Sequence, residues 1–141
     1  MAMVRRLGVL SAVIVLAGCS ADAPIRPFTT DGCSEFPDGT PRHRKIWRDC
    51  CVVHDRAYWR GGTYDERLEA DRALQTCVTA VGEPAVAKVM LAGVRVGGSP
   101  WWPTPYRWGY GWPWPRGYAS LTAQEHDQID RALQAASVTP R

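Results

Sequence analysis

The stretch from Trp47 to Asp71, WRDCCVVHDRAYWRGGTYDERLEAD, gathers the residues of this chain best suited to chemistry. Two adjacent cysteines precede a His-Asp pair, a tyrosine follows one turn later, and a second aspartate lies beyond a Gly-Gly break. A histidine held at one ring nitrogen by a buried carboxylate can take a proton from water with the other. The carboxylate sets the tautomer and stabilises the imidazolium that forms. His54 and Asp71 meet that need if the fold brings them together, and Tyr58 is spaced to join them. Asp55 points about 100° round a helix from His54 and so serves another purpose. A carboxylate facing a loop with free carbonyls suits a hard cation, which polarises carbonyls and steadies oxyanions. From spacing alone, a purely structural His54–Asp71 staple between two helices is an equal reading.

The elements that must position these groups are helical. Over about Lys45 to Trp59, the residues Trp47, Cys50, Cys51, His54 and Tyr58 recur at three- and four-residue intervals and share one face. Gly61 and Gly62 stop that helix. Thr63 with Glu66 forms a capping box for a second helix running to about Ala80. There Leu68, Asp71, Leu74, Cys77 and Val78 have helical spacing, so Asp71 falls on the buried side, where an aspartate needs a partner. The short connection makes the two helices antiparallel neighbours. Glu83-Pro84 opens a third helix to about Val96, and Thr122 with Glu125 caps a last one to about Ala136. The predicted fold is a small all-α domain, linked by disulfides, with the site on two antiparallel helices.

Arg5 and Arg6 precede an apolar run that ends in Leu16-Ala17-Gly18-Cys19, which reads as a secretory signal peptide over residues 1–18. Cysteine directly after Ala-Gly resembles a bacterial lipobox, making Cys19 the lipidated first residue of an exported, envelope-anchored protein. Ser20 resembles the outer-membrane-directed form. Removal of Arg5 and Arg6 takes the formal net charge from +3 to about +1, too even to argue for nucleic acid. Residues 19–30, with two prolines and no periodicity, read as a tether. Residues 137–141 read as a loose tail, which leaves 31–136 as the domain. Cys33, Cys50, Cys51 and Cys77 are an even set in an exported chain and read as two disulfides. Neighbouring Cys50 and Cys51 cannot bridge each other in a helix, so each takes Cys33 or Cys77. A zinc site would lack any C-x-x-C pair.

The run C-C-V-V-H-D-R-A-Y, with Ala70-Asp71 and then Cys77 six residues on, resembles the CCxxHDxxY signature of the secreted phospholipase A2 family. The likeness covers about residues 31 to 78. It implies His54 as the catalytic histidine, with Tyr58 and Asp71 completing its network. It implies Asp55 as the calcium ligand, with Gly32 and Ser34 in the facing loop. It also implies the pairs Cys33–Cys51 and Cys50–Cys77. The implied reaction is calcium-dependent hydrolysis of the sn-2 ester of glycerophospholipids by a His-activated water, on a phospholipid membrane surface, by a monomer. The loop departs from the family, reading DGCSEFPDG where Y-x-C-x-x-G is usual, and the helix connection is shorter than in animal members. That altered loop admits an alternative, a non-catalytic envelope lipoprotein that uses the same scaffold for lipid or protein binding.

Residues 98–118, GSPWWPTPYRWGYGWPWPRGY, hold five of the seven tryptophans. Prolines and glycines interrupt any period, so a loop or irregular hairpin is predicted. Trp101, Trp102, Trp108, Trp112 and Trp114 are candidates for a bilayer interface, where an apolar ring with one N–H is at home. Covering a small core is the competing use of the same rings.

Overall fold

The structure, a computed structural model, describes residues 23–138. It is all-helical among those residues: α1 (Arg48–Arg60), α2 (Tyr64–Ala80), α3 (Pro84–Gly97) and α4 (Ala123–Val138). The predicted signal peptide and Cys19 lie outside the described residues, as does the tail beyond Val138. No helix among the described residues is long and apolar enough to cross a membrane.

α1 starts three residues later than its spacing predicts. Residues 36–46 fold into turns instead, and Trp47 is tied to them: its amide donates to Asp38 O (3.2 Å) and its indole to Pro37 O (2.6 Å). Gly61 at φ 71° and Gly62 at φ 136° then reverse the chain in a backbone region few other residues tolerate. Thr63 caps α2 through the reciprocal box with Glu66. The disulfides are Cys33–Cys51, which ties the loop at 31–40 to α1, and Cys50–Cys77, which ties α1 to α2.

Two apolar clusters flank α1. One joins α1, α2 and α3 through Trp47, Cys50, Cys51, Leu74, Val78, Ala87 and Met90. The other joins the opposite side of α1 to α4 through Ile25, Trp59, Trp112 and Ile129. Because Ile25 is part of that cluster, the expected tether is corrected from this residue onward. Ile25 N donates to Gln128 Oε1 (3.1 Å), Arg26 N to Gly111 O (2.8 Å), and Trp59 Nε1 to Arg26 O (2.8 Å). A proline-rich extended strip has no helical period to reveal it, yet its backbone groups pair as well as any others.

The Trp-rich segment is the cap of α1. A helix leaves its last four carbonyls without partners. Here Ala57 O accepts from Gly61 N, Tyr58 O from Gly109 N (2.6 Å), Trp59 O from Gly111 N (3.1 Å), and Arg60 O from the Trp112 indole (2.7 Å). Trp108 donates its indole N–H to Gly62 O (2.9 Å). The buried Arg107 guanidinium holds the turn itself, through the carbonyls of Trp108, Gly109 and Trp112. The expected interfacial set therefore divides. Trp108 and Trp112 are buried at 0% and 3% exposure and are withdrawn from it, because their N–H groups end α1; Trp101, Trp102 and Trp114 remain more than half exposed.

Candidate active site

α1 and α2 bring His54, Tyr58 and Asp71 together. His54 Nε2 lies 3.0 Å from Asp71 Oδ1, and the Tyr58 hydroxyl donates to the same oxygen at 2.7 Å. The His54 and Tyr58 rings stack with centroids 4.2 Å apart. Asp71 is fully buried and His54 is 7% exposed. Burial, then the charge of Asp71, drives the Tyr58 phenol far above its ordinary range, so it stays a hydrogen-bond donor. With Nε2 given to the carboxylate, Nδ1 is the nitrogen left for a reacting water.

His54 opens onto a cavity of about 290 Å³. The loop residues Cys33, Ser34, Glu35 and Phe36 form one wall, together with Asp55 of α1. Leu74 of α2, Val89, Met90, Gly93, Val94 and Gly97 of α3, and Tyr106 complete it. Polar groups thus cluster near His54 and Asp55 while α3 supplies an apolar strip. A larger hollow of about 620 Å³, between Pro24–Pro27 and α4, contains neither histidine nor carboxylate and lies apart from this chemistry.

Asp55 points away from Asp71, as its helix position requires. Its Oδ2 accepts from Thr30 Oγ1 at 2.6 Å. Burial pushes its carboxyl up to about 6; the Thr30 bond and His54 oppose the rise, and Asp31 and Asp38 add to it. Among the described residues no Lys or Arg forms an ion pair with Asp55. Asp38 is already engaged, by Cys33 N at Oδ1 (2.8 Å) and by Arg48 at Oδ2 (3.5 Å), and Asp31 accepts from Ser34 Oγ (2.8 Å). A half-buried carboxylate short of positive charge, with oxygen donors around it, fits a hard cation. Among the described residues no three or more His, Cys, Asp or Glu side chains gather to hold a metal, so a cation here would draw on loop carbonyls and hydroxyls. Ser34 lines the cavity with Asp55. Gly32 lies behind, at φ 93°, and a Cβ there would meet Asp38 Oδ1 at 2.3 Å.

Two residues at Asp71 have no place in the sequence-based site. Arg95 Nε of α3 lies 2.8 Å from Asp71 Oδ2, a charge contact without hydrogen-bond alignment. Arg67 Nε lies 4.0 Å from the same oxygen, while Arg67 donates to the Tyr58 and Tyr118 hydroxyls and to the carbonyls of Val94 and Arg95. Arg67, four residues before Asp71 on one helix face, was legible as an i,i+4 partner. Arg95 left no such signal, because it arrives from another helix.

No protein-family profile, curated protein or solved structure matches the chain. The functional reading therefore rests on the residues and their geometry.

Proposed function

We propose that the protein is a calcium-dependent, phospholipase A2-like hydrolase that cleaves the sn-2 acyl ester of glycerophospholipids. The observation that carries this reading is the buried His54–Asp71 pair opening onto an apolar cavity, with Asp55 on its rim. In the proposed reaction His54 Nδ1 takes a proton from a water, which attacks the ester carbonyl; Asp71 and Tyr58 hold the ring and Asp71 stabilises the imidazolium. The same proton then goes to the leaving alkoxide, and because the nucleophile is water and not a side chain, no acyl-enzyme forms. Asp55, with the loop at Gly32 and Ser34, would hold a calcium ion, whose chemistry when bound is polarisation of the ester carbonyl. The helical pair and its two disulfides are those the family resemblance implies, and we extend the likeness to the fold. The lipobox-like segment would deliver the domain to the cell envelope, where Trp101, Trp102 and Trp114 are exposed for contact with phospholipid. The test is release of fatty acid from phosphatidylcholine vesicles by the purified protein, with and without calcium. Hydrolysis that survives both chelation and His54→Gln would sink the reading.

One observation favours the alternative of a non-catalytic lipoprotein scaffold. Thr30 already occupies Asp55 Oδ2, and Asp38 is folded onto the loop that must offer carbonyls. Calcium titration separates the two, since a scaffold without catalysis has no need of the ion.

A further inference from the structure

We propose that Arg95 is a positioning residue that fixes the Asp71 carboxylate and through it the tautomer of His54. The inference rests on the hydrolase reading of this site and extends it to a residue on a third helix.

Asp71 is completely buried. Its two oxygens are served unequally. Oδ1 has the Tyr58 hydroxyl at 2.7 Å and His54 Nε2 at 3.0 Å. Oδ2 has no hydrogen bond and depends on charge alone, chiefly Arg95 Nε at 2.8 Å. Arg67 does not substitute, because it stands 4.0 Å away with its N–H groups given to Tyr58, Tyr118 and two α3 carbonyls. A carboxylate turns on a broad, two-fold torsion, so something must choose its orientation. With Arg95 at Oδ2, Oδ1 is left facing His54 and Tyr58, and an ionised Asp71 can only accept from Nε2–H. That leaves Nδ1 as the free base.

Without Arg95, Oδ2 becomes a buried charge with only Arg67 Nε, 4.0 Å away, near it. Such an oxygen is relieved either by turning toward Arg67 or by taking up a proton. The first moves Oδ1 off His54 Nε2. The second gives a group that can donate to the ring as well as accept, so the tautomer is no longer set. Arg95 is one-third exposed, and its NH2 also donates to Leu68 O (3.2 Å). It thus links α3, which lines the cavity, to the buried half of the dyad.

The test compares Arg95→Gln, Arg95→Lys and Arg95→Ala in the full chain, at a temperature where circular dichroism shows each to be folded. On a monomeric short-chain phosphatidylcholine, Arg95→Gln should lose roughly tenfold to a hundredfold in kcat, the scale set by partners that orient metal-bound histidines, with KM within about twofold. Arg95→Lys keeps the charge on which Oδ2 depends and should hold kcat within about threefold of wild type. Millimolar guanidinium should restore Arg95→Ala, because the site reaches solvent. Independently of activity, long-range 1H–15N spectra should show His54 as the Nε2–H tautomer in the wild type and as a mixture in Arg95→Gln. An unchanged tautomer in folded Arg95→Gln overturns the proposal, as does a wild-type kcat in Arg95→Gln or an Arg95→Lys no more active than Arg95→Gln. A tautomer that depends on Arg95 in a protein that hydrolyses no lipid supports the positioning role and removes the hydrolase reading.

Discussion

Gly93 offers a perturbation in which stability and activity should move in opposite directions. Glycine inside a helix costs about 1 kcal/mol relative to alanine. A packing reason usually explains one, but a Cβ built at Gly93 or Gly97 meets nothing within 4 Å. Both residues line the cavity, with Val89, along one strip of α3. The eight steps from Val89 to Gly97, at 1.5 Å each, make that strip about 12 Å long. In the proposed reaction an acyl chain lies along it, with glycine backbone as floor. Gly93→Ala should therefore stabilise the fold by about 0.5–1 kcal/mol, and at about 2 cal/mol/K of unfolding entropy per residue the melting temperature rises by roughly 2–4 °C. Gly93→Leu places a branched side chain where the chain would run. Displacing about two methylenes from apolar contact costs about 1.6 kcal/mol, or roughly fifteenfold in kcat/KM. The assay is fatty-acid release from long-chain phosphatidylcholine, with dihexanoyl phosphatidylcholine as the short-chain reference and Ala92→Leu, exposed outside the cavity, as control. Wild-type long-chain hydrolysis by Gly93→Leu would refute the acyl path. A fall in melting temperature on Gly93→Ala would refute the claim that the glycine leaves space open.

His54→Gln should lower hydrolysis by roughly 10²–10⁴-fold, the usual contribution of a general base, with little change in melting temperature; residual activity near wild type argues for the structural staple. The Asp55 carboxyl, pushed up to about 6 by burial, is protonated more readily folded than unfolded. Calcium-free protein should lose stability as pH rises from about 4 through about 6, and calcium should restore it above that range but not below. Melting curves with chelator or calcium check this, and Asp55→Asn should abolish the dependence. Replacing Trp101 and Trp102 together by alanine should reduce sedimentation with vesicles at nearly constant melting temperature, since both rings are exposed. Trp108→Ala should instead cost about 3–5 kcal/mol in denaturant unfolding, as a large buried ring is lost; equal behaviour of the two sets would contradict the division between them.

Much of the helical half of the site was legible because it is local. The capping box at Thr63 and Glu66, the Gly61-Gly62 break and the intervals from Cys50 to Tyr58 place His54 and Asp71 on facing helices without any tertiary information. The start of α1 was less legible, since Asp38 and Pro37 hold Trp47 in turns through contacts nine and ten residues apart. The strip from Ile25 was missed for a similar reason: an extended segment that packs by backbone bonding to Gly111 and Trp59 leaves no period in its side chains.

By itself, then, the order of residues determined the helices, their antiparallel pairing and the separate directions of His54 and Asp55, all of which follow from 3.6-residue geometry over short spans. Only the tertiary structure decided which tryptophans are buried, because Trp108 and Trp112 are distinguished from Trp101 and Trp102 solely by carbonyls at the end of a distant helix. It alone placed Arg95 beside Asp71. A buried carboxylate demands compensating charge, and nothing in a linear sequence says which of its 17 basic residues will arrive.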